Sequence, residues 1–198
     1  LVDDDDPPIA FAENITVLED GVNAAIELSL LSPSGKTVTV DYATASSAAL
    51  STQDFNAVVG SLTWPPGSTI TKTVIVGLIN DPIGEPPEAF FLDLFNVFNA
   101  TFPDKITVTI EDDDKPSLSV SIADTSEDAN FMDVVVTMVG FSTLTVSATV
   151  STTTNGTAQS GTDFELLSTT VDWGPVVTGT QTVQITLHDD LTDEHDET

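Results

Sequence analysis

The chain matches itself at a spacing of just over one hundred residues, and this repeat constrains its fold more than any other feature. Asp54-Phe55 returns as Asp163-Phe164, Leu62-Thr63-Trp64 as Val171-Asp172-Trp173, and Asn80-Asp81 as Asp189-Asp190, each 109 residues on. Glu85 and Glu88 return as Glu194 and Glu197 at the same offset. Earlier markers lie 108 apart: Asp3–Asp6 returns as Glu111–Asp114 and Glu19-Asp20 as Glu127-Asp128, so one inserted residue separates the two copies. Self-similarity of this kind is the signature of a tandem array. The expected boundaries are 1–7 for the tail of a preceding repeat, 8–114 for a complete first repeat, and 115–198 for a second repeat that lacks its last two strands. On this reading the chain is cut from a longer array. Later residues are expected to complete the second repeat, with strands donated by a neighbouring molecule as the alternative, because an unfinished sandwich exposes edges that invite pairing. The linker is only Lys115-Pro116, so neighbouring repeats should abut, and the proline holds the residue before it extended.

Each repeat reads as β throughout. Runs rich in Val, Ile, Thr and Phe, bounded by turn residues, place strands near Ile15–Leu18, Ala24–Leu30, Thr37–Thr44, Ser61–Trp64, Ile70–Leu78, Ala89–Phe95 and Ile106–Ile110. Apolar and polar residues alternate through Ile26, Leu28 and Leu30, and again through Ile106, Val108 and Ile110, as half-buried strands require. Pro33-Ser34-Gly35 and Pro65-Pro66-Gly67 are expected to close hairpins. About seven strands per complete repeat imply an all-β fold of tandem immunoglobulin-like antiparallel β-sandwiches. Trp64 and Trp173 occupy equivalent strand positions and are expected in the cores.

Charge decides which partners are open to such a chain. It carries 32 acidic residues against 4 lysines, a formal net charge of −28. Nucleic acid and anionic membrane surfaces are bound by Lys and Arg, so both are excluded as partners, and no apolar run is long enough to cross a bilayer. There is no cysteine, which removes disulfides and thiolate zinc sites and leaves hard cations with oxygen ligands. The acids also gather in runs, although adjacent carboxylates repel by roughly 1 kcal/mol per pair even in water.

The β order brings those runs to one place. Successive strands run in opposite directions, so loops two strands apart emerge at the same end. Glu19-Asp20, Asp54, the Asn80–Glu88 loop and Glu111–Asp114 should therefore share one tip, while the loops around Pro33, Pro66 and Phe98–Asp104 occupy the other. Calcium takes six to eight oxygens in flexible geometry and suits such a set better than magnesium, which demands a stricter octahedron.

Glu-Asp-Gly at 19–21, Asp54-Phe55, Leu-Thr-Trp-Pro-Pro-Gly at 62–67, Asn-Asp-Pro-Ile-Gly-Glu-Pro-Pro-Glu at 80–88 and Thr-Ile-Glu-Asp-Asp-Asp at 109–114 resemble the Calx-β domain, the repeat of sodium–calcium exchanger regulatory regions and of large extracellular adhesion proteins. The resemblance implies that Glu19, Asp54, Asp81, Glu85, Glu88, Asp112, Asp113 and Asp114 ligate two or more Ca²⁺ ions, with Ile83 giving its backbone carbonyl. Asn80 stands where the family often has Asp, which weakens any site it shares. In the second repeat the matching positions are Glu127, Asp163, Asp189, Asp190, Glu194 and Glu197, with Thr192 in the carbonyl place and the closing Asp triplet missing.

The expected function is a calcium-binding structural or adhesive segment of a secreted or cell-surface protein, in which Ca²⁺ clamps the joints between repeats. Its expected partners are neighbouring repeats, then other matrix or cell-surface proteins or glycans. A Ca²⁺-sensing regulatory tandem of a membrane transporter is the alternative, and accessory domains of a secreted hydrolase a remote one. Catalysis is not expected. The histidines, His188 and His195, have no counterparts in the first repeat, where Ile79 and Pro86 stand. Asn14-Ile15-Thr16, Asn99-Ala100-Thr101 and Asn155-Gly156-Thr157 are N-glycosylation acceptors if the source is eukaryotic.

Overall fold

The structure is a computed structural model and describes residues 6–126 and 128–189. It contains two compact units, one formed by the chain up to Asp81 with Pro86–Asp113, the other by Pro82–Glu85 with the chain from Asp114. Among the described residues there is no helix.

The first unit is built from β1 (Ala10–Ala12), β2 (Ile15–Leu18), β3 (Asn23–Leu30), β4 (Val38–Ala45), β5 (Val59–Trp64), β6 (Lys72–Gly77), β8 (Glu88–Phe98) and β9 (Lys105–Glu111), while β7 (Ile83–Gly84) belongs to the second unit. A three-stranded sheet, β1-β3-β6, and a five-stranded sheet, β2-β9-β8-β4-β5, supply the two layers. Period-two alternation turns Ala24, Ile26, Leu28 and Leu30 inward from one sheet and Phe90, Leu92, Leu94, Ile106, Val108 and Ile110 inward from the other. Each Ile, Leu, Val and Phe among them contributes about 1.5–3 kcal/mol on burial. Trp64 is fully buried, and its indole N–H donates to the Ile70 carbonyl at 2.7 Å, so the one polar atom of the ring is satisfied.

Two expectations are corrected here. The Pro33-Ser34-Gly35 and Pro65-Pro66-Gly67 turns do not close hairpins: β3 and β4, and likewise β5 and β6, lie in different sheets, so both turns carry the chain across the sandwich. The hairpins of this unit are β4–β5 and β8–β9. The sandwich is also not wholly antiparallel. After β1 pairs antiparallel with β3, the chain changes sheets, and β2 lies parallel to β9, with Ile15 opposite Val108.

The second unit comprises β7, β10 (Ser117–Ile122), β11 (Phe131–Val139), β12 (Phe141–Ser142), β13 (Val146–Ser151), β14 (Ser168–Trp173) and β15 (Gly179–Thr186). Its sheets are β10-β11-β15 and β13-β14, with a short parallel pair, β7–β12. Val136, Met138 and Trp173 form one buried cluster, and Val134, Phe164, Val183 and Ile185 another. The Trp173 indole donates to the Gly179 carbonyl at 3.0 Å, repeating the Trp64–Ile70 bond 109 residues on. Gly84 is buried, and a Cβ there would run into the Asp114 carbonyl oxygen.

Candidate metal centre

Glu19 opens the site. It follows β2, which the parallel pairing with β9 brings beside Glu111, and the Glu19 N–H donates to the Glu111 carbonyl at 2.9 Å. That pairing fixes the start of the β2–β3 loop against the acidic segment that ends β9. The Glu19 side chain is 6% exposed, and its Oε1 accepts the backbone N–H of Asp81 at 3.2 Å. An acid this buried needs compensation for lost hydration. Glu19 and Asp113, with Asp114 next in the chain, each offer a carboxylate oxygen within 4.8 Å of one another. Asp112 adds a further feature: its Oδ2 is buried with no hydrogen-bond partner. Such a group in a folded protein calls for a ligand or a water.

A second group forms around Asp54. Asp54, Glu85 and Glu88 also place carboxylate oxygens within 4.8 Å of one another, all three half-buried. The Phe55 and Phe90 rings, both fully buried, stack beneath it with centroids 4.2 Å apart and planes at 18°. One ring follows Asp54 and the other lies two residues beyond Glu88, so a single stacked pair anchors both acidic segments to the core. Burial, then the negative charge of Asp54 and a hydrogen bond shared with it, pushes the Glu88 carboxyl above the ordinary glutamate value.

Asp54 has a second task, which sequence reasoning missed. Its Oδ2 accepts the Leu50 N–H at 2.5 Å and so closes the Leu50–Phe55 loop on itself. Asp163 does the same with the Gln159 N–H at 2.5 Å. Recurrence of this Asp in both repeats therefore has a structural reason beside any ligand role. The sequence carries no specific signal for it beyond an aspartate's habit of bonding nearby loop backbone.

The remaining sequence-derived positions fall as follows. Asn80 is exposed, Asp81 is half-buried with its N–H on Glu19, and Ile83 lies in β7, opposite Phe141. In the second repeat, Asp163 is half-buried and Asp189 exposed, and no acidic triad forms among its described residues. Glu127, Asp190, Thr192, Glu194 and Glu197 lie outside the described residues. His188 sits 3.8 Å from Glu165, an ion pair only when the imidazole is protonated. The first repeat has Ile79 and Asn56 in these places.

The profile of the Calx-beta domain matches residues 3–114 and again residues 111–198. The chain belongs to the Calx-beta family. It is a tandem Calx-beta protein, in keeping with its two copies of one β plan. The crystal structure of the apo-form Calx CBD1 domain is 25% identical, with a TM-score of 0.51, and is covered completely by 55% of this chain. CBD12 of CALX1.2 shares 19% identity over 92% of this chain and 76% of its own, with a TM-score of 0.50, a likeness of fold alone. A structure described as the calcium binding domain CBD12 of CALX1.1 gives 20% identity and a TM-score of 0.49 over the same shares. No curated protein matches the chain.

Proposed function

We propose that this tandem Calx-beta protein binds Ca²⁺ through the first repeat and serves as a cation-stiffened structural segment at the cell exterior. The observation that carries the reading is the pair of carboxylate triads, Glu19, Asp113 and Asp114, and Asp54, Glu85 and Glu88, each gathered within 4.8 Å. Three anions at that spacing repel, most of all at the buried Glu19, and a divalent cation turns repulsion into attraction. The donor set fits the ion. Every side-chain donor is a hard oxygen, and the Asp112 Oδ2 is a buried acceptor in want of a partner. The ion would supply charge neutralisation and a common anchor for the acidic loops. Binding, not catalysis, is the chemistry this arrangement supports, since ions held by many carboxylates leave none poised as a free acid or base.

The exterior setting is supported by the net charge of −28 with only 4 lysines. Extracellular modules of this chemistry bind Ca²⁺ with Kd of about 10⁻⁴–10⁻³ M, which suits a calcium-rich medium. A Ca²⁺-sensing tandem of a membrane transporter would use the same carboxylates, and the full-length reading frame separates the two by the presence of flanking membrane spans.

The test is a calorimetric Ca²⁺ titration with melting curves in chelator and in millimolar Ca²⁺. At a hundredfold excess over Kd, each site should stabilise the fold by about 2.7 kcal/mol. Asp113→Asn should weaken binding and, by removing one repelling carboxylate, leave the chelated protein at least as stable. Asp54→Asn keeps an acceptor oxygen for Leu50 and should act likewise. Identical melting curves with and without Ca²⁺ would end the proposal.

A further inference from the structure

The outer face of the five-stranded sheet carries chemistry that neither the sandwich nor the acidic loops require. In β8, Leu92 and Leu94 point into the core, so Phe91, Asp93 and Phe95 point outward. Phe91 lies under the Lys105 Nζ, 3.9 Å from the ring centroid, and Asp93 stands directly across from Lys105 on β9. An aromatic face thus receives one ammonium group of the chain itself.

One step along the strand the same two groups recur. Phe95, 41% exposed, stands directly across from Asp41 on β4. The Asp41 Oδ2 accepts the Asn96 side-chain N–H at 2.9 Å, and Asn96 holds a φ of 49°. The β4–β8 register shifts between Thr39 and Asp41, a bulge of the kind that re-aims side chains beside binding sites. Hydrogen bonds from Asn96 and then Ser61 hold the Asp41 carboxyl below the ordinary aspartate value, so it stays ionised. They occupy only part of the carboxylate's acceptor capacity.

The second repeat shows what the fold itself needs here. On β13 and β14, Thr149 stands opposite Thr170 where the first repeat sets Asp41 opposite Ser61. A hydroxyl pair satisfies the sheet, so the carboxylate is additional.

We propose that Phe95 and Asp41 form a docking point for a lysine or arginine of a partner protein, the ring receiving the cation as Phe91 receives Lys105. Charge complementarity selects the partner: the chain carries −28 and only 4 basic residues, so the cation comes from outside. The ring contributes cation–π attraction and the carboxylate the ionic bond. This surface is independent of the calcium reading and survives its failure.

The experiment is an NMR titration of the ¹⁵N-labelled protein with the capped peptide Gly-Arg-Gly-Arg-Gly, in saturating Ca²⁺ to neutralise the acidic loops. The peptide should shift the amides of Asp41, Phe95 and Asn96. Asp41→Thr, which installs the second repeat's own residue, and Phe95→Thr should each weaken binding about threefold. Glu27→Thr removes an exposed carboxylate from the other sheet and should change affinity less than twofold, about what loss of one distant screened charge allows. Melting curves confirm that each variant is folded. The proposal is overturned if Glu27→Thr weakens the peptide as much as Asp41→Thr, if no β4 or β8 amide moves, or if only a neutral oligosaccharide moves them.

Discussion

The two repeats contain a reciprocal exchange at positive φ that makes a controlled stability experiment. Thr52 holds φ 75°, and its counterpart 109 residues on is Gly161 at φ 87°. Gly67 holds φ 82°, and its counterpart is Val176 at φ 58°. The turns themselves are the same. Thr52 donates its N–H to the Phe55 carbonyl at 2.8 Å and Gly161 to Phe164 at 2.7 Å, while Gly67 donates to Ser34 and Val176 to Ser142, both at 2.8 Å. The residue in the left-handed position is exchanged between them, beside neighbours such as Gln53 for Thr162 and Pro65 for Gly174. A β-branched side chain there costs about 1–2 kcal/mol, against about 0.5–1 kcal/mol for the extra unfolded-state freedom of glycine. Thr52→Gly and Val176→Gly should therefore each stabilise their own unit by about 0.5–1 kcal/mol, raising Tm by about 2–8 °C for a domain of this size. Little packing is lost, since Thr52 is exposed and Val176 is 57% exposed. Gly161→Thr and Gly67→Val should lower Tm by similar amounts. A Cβ at either glycine meets nothing within 4 Å, so the loss would be conformational and not a clash. Trp64 and Trp173 are buried one in each unit, so fluorescence melts in a Trp173→Phe or Trp64→Phe background read the units separately. If both directions of exchange destabilise, backbone strain is not what distinguishes these turns, and the reasoning fails.

Two further outcomes follow from the site and its supports. The folded-state pKa of Glu88 is raised, so the folded protein holds that proton more tightly than the unfolded chain does. Its contribution to stability is full below the ordinary glutamate value and is lost as pH rises through the raised folded value. In chelator, Glu88→Gln should remove that part of the pH dependence and raise stability at neutral pH, as urea melts across the window would show; an unchanged slope would contradict it. Gly84→Ala must displace the Asp114 carbonyl from its contact, and overpacking of this kind should cost the second unit about 1–3 kcal/mol, read by the Trp173 melt.

Much of the fold was legible because period-two alternation survives wherever one face of a strand is buried. Ile26, Leu28 and Leu30, and Ile106, Val108 and Ile110, show the pattern and all six are buried. Alternation names the inward face but not the neighbouring strand or its direction, so the β2–β9 parallel pair was invisible. The Pro-Gly turns failed for a related reason: the same φ preferences serve a hairpin and a crossing between sheets. The gathering of Glu19 with Asp113, and of Asp54 with Glu88, could be read from strand order, since loops carry it. What could not be read was which polar side chains serve the backbone. Asn14 accepts the Thr107 N–H and Asn99 donates to the Thr37 carbonyl, both at 2.8 Å, so two of the three glycosylation triplets have structural work for their asparagine.

The division of labour between scaffold and tip follows from how each tolerates change. At residues 52 and 67 the repeats trade Gly for Thr and Val yet keep every turn hydrogen bond, because a left-handed residue costs only about 1–2 kcal/mol and the core absorbs it. The acidic tip has no such slack. Glu19 is almost wholly buried, and the Asp112 Oδ2 is buried without a donor, so without a cation both charges stand against the loss of water. Stacked Phe55 and Phe90 rings, the Glu19–Glu111 backbone bond and the bond from the Asp81 N–H to the Glu19 carboxylate hold the acidic side chains in place despite their repulsion. A tip assembled in advance, at the expense of stability without the ion, returns that energy as affinity when the ion arrives, since little ordering remains to be done on binding. The cation-free protein should therefore keep its loops near their bound positions and be less stable for it, and a tip that proved disordered without Ca²⁺ would show the rigid core plays no part in affinity.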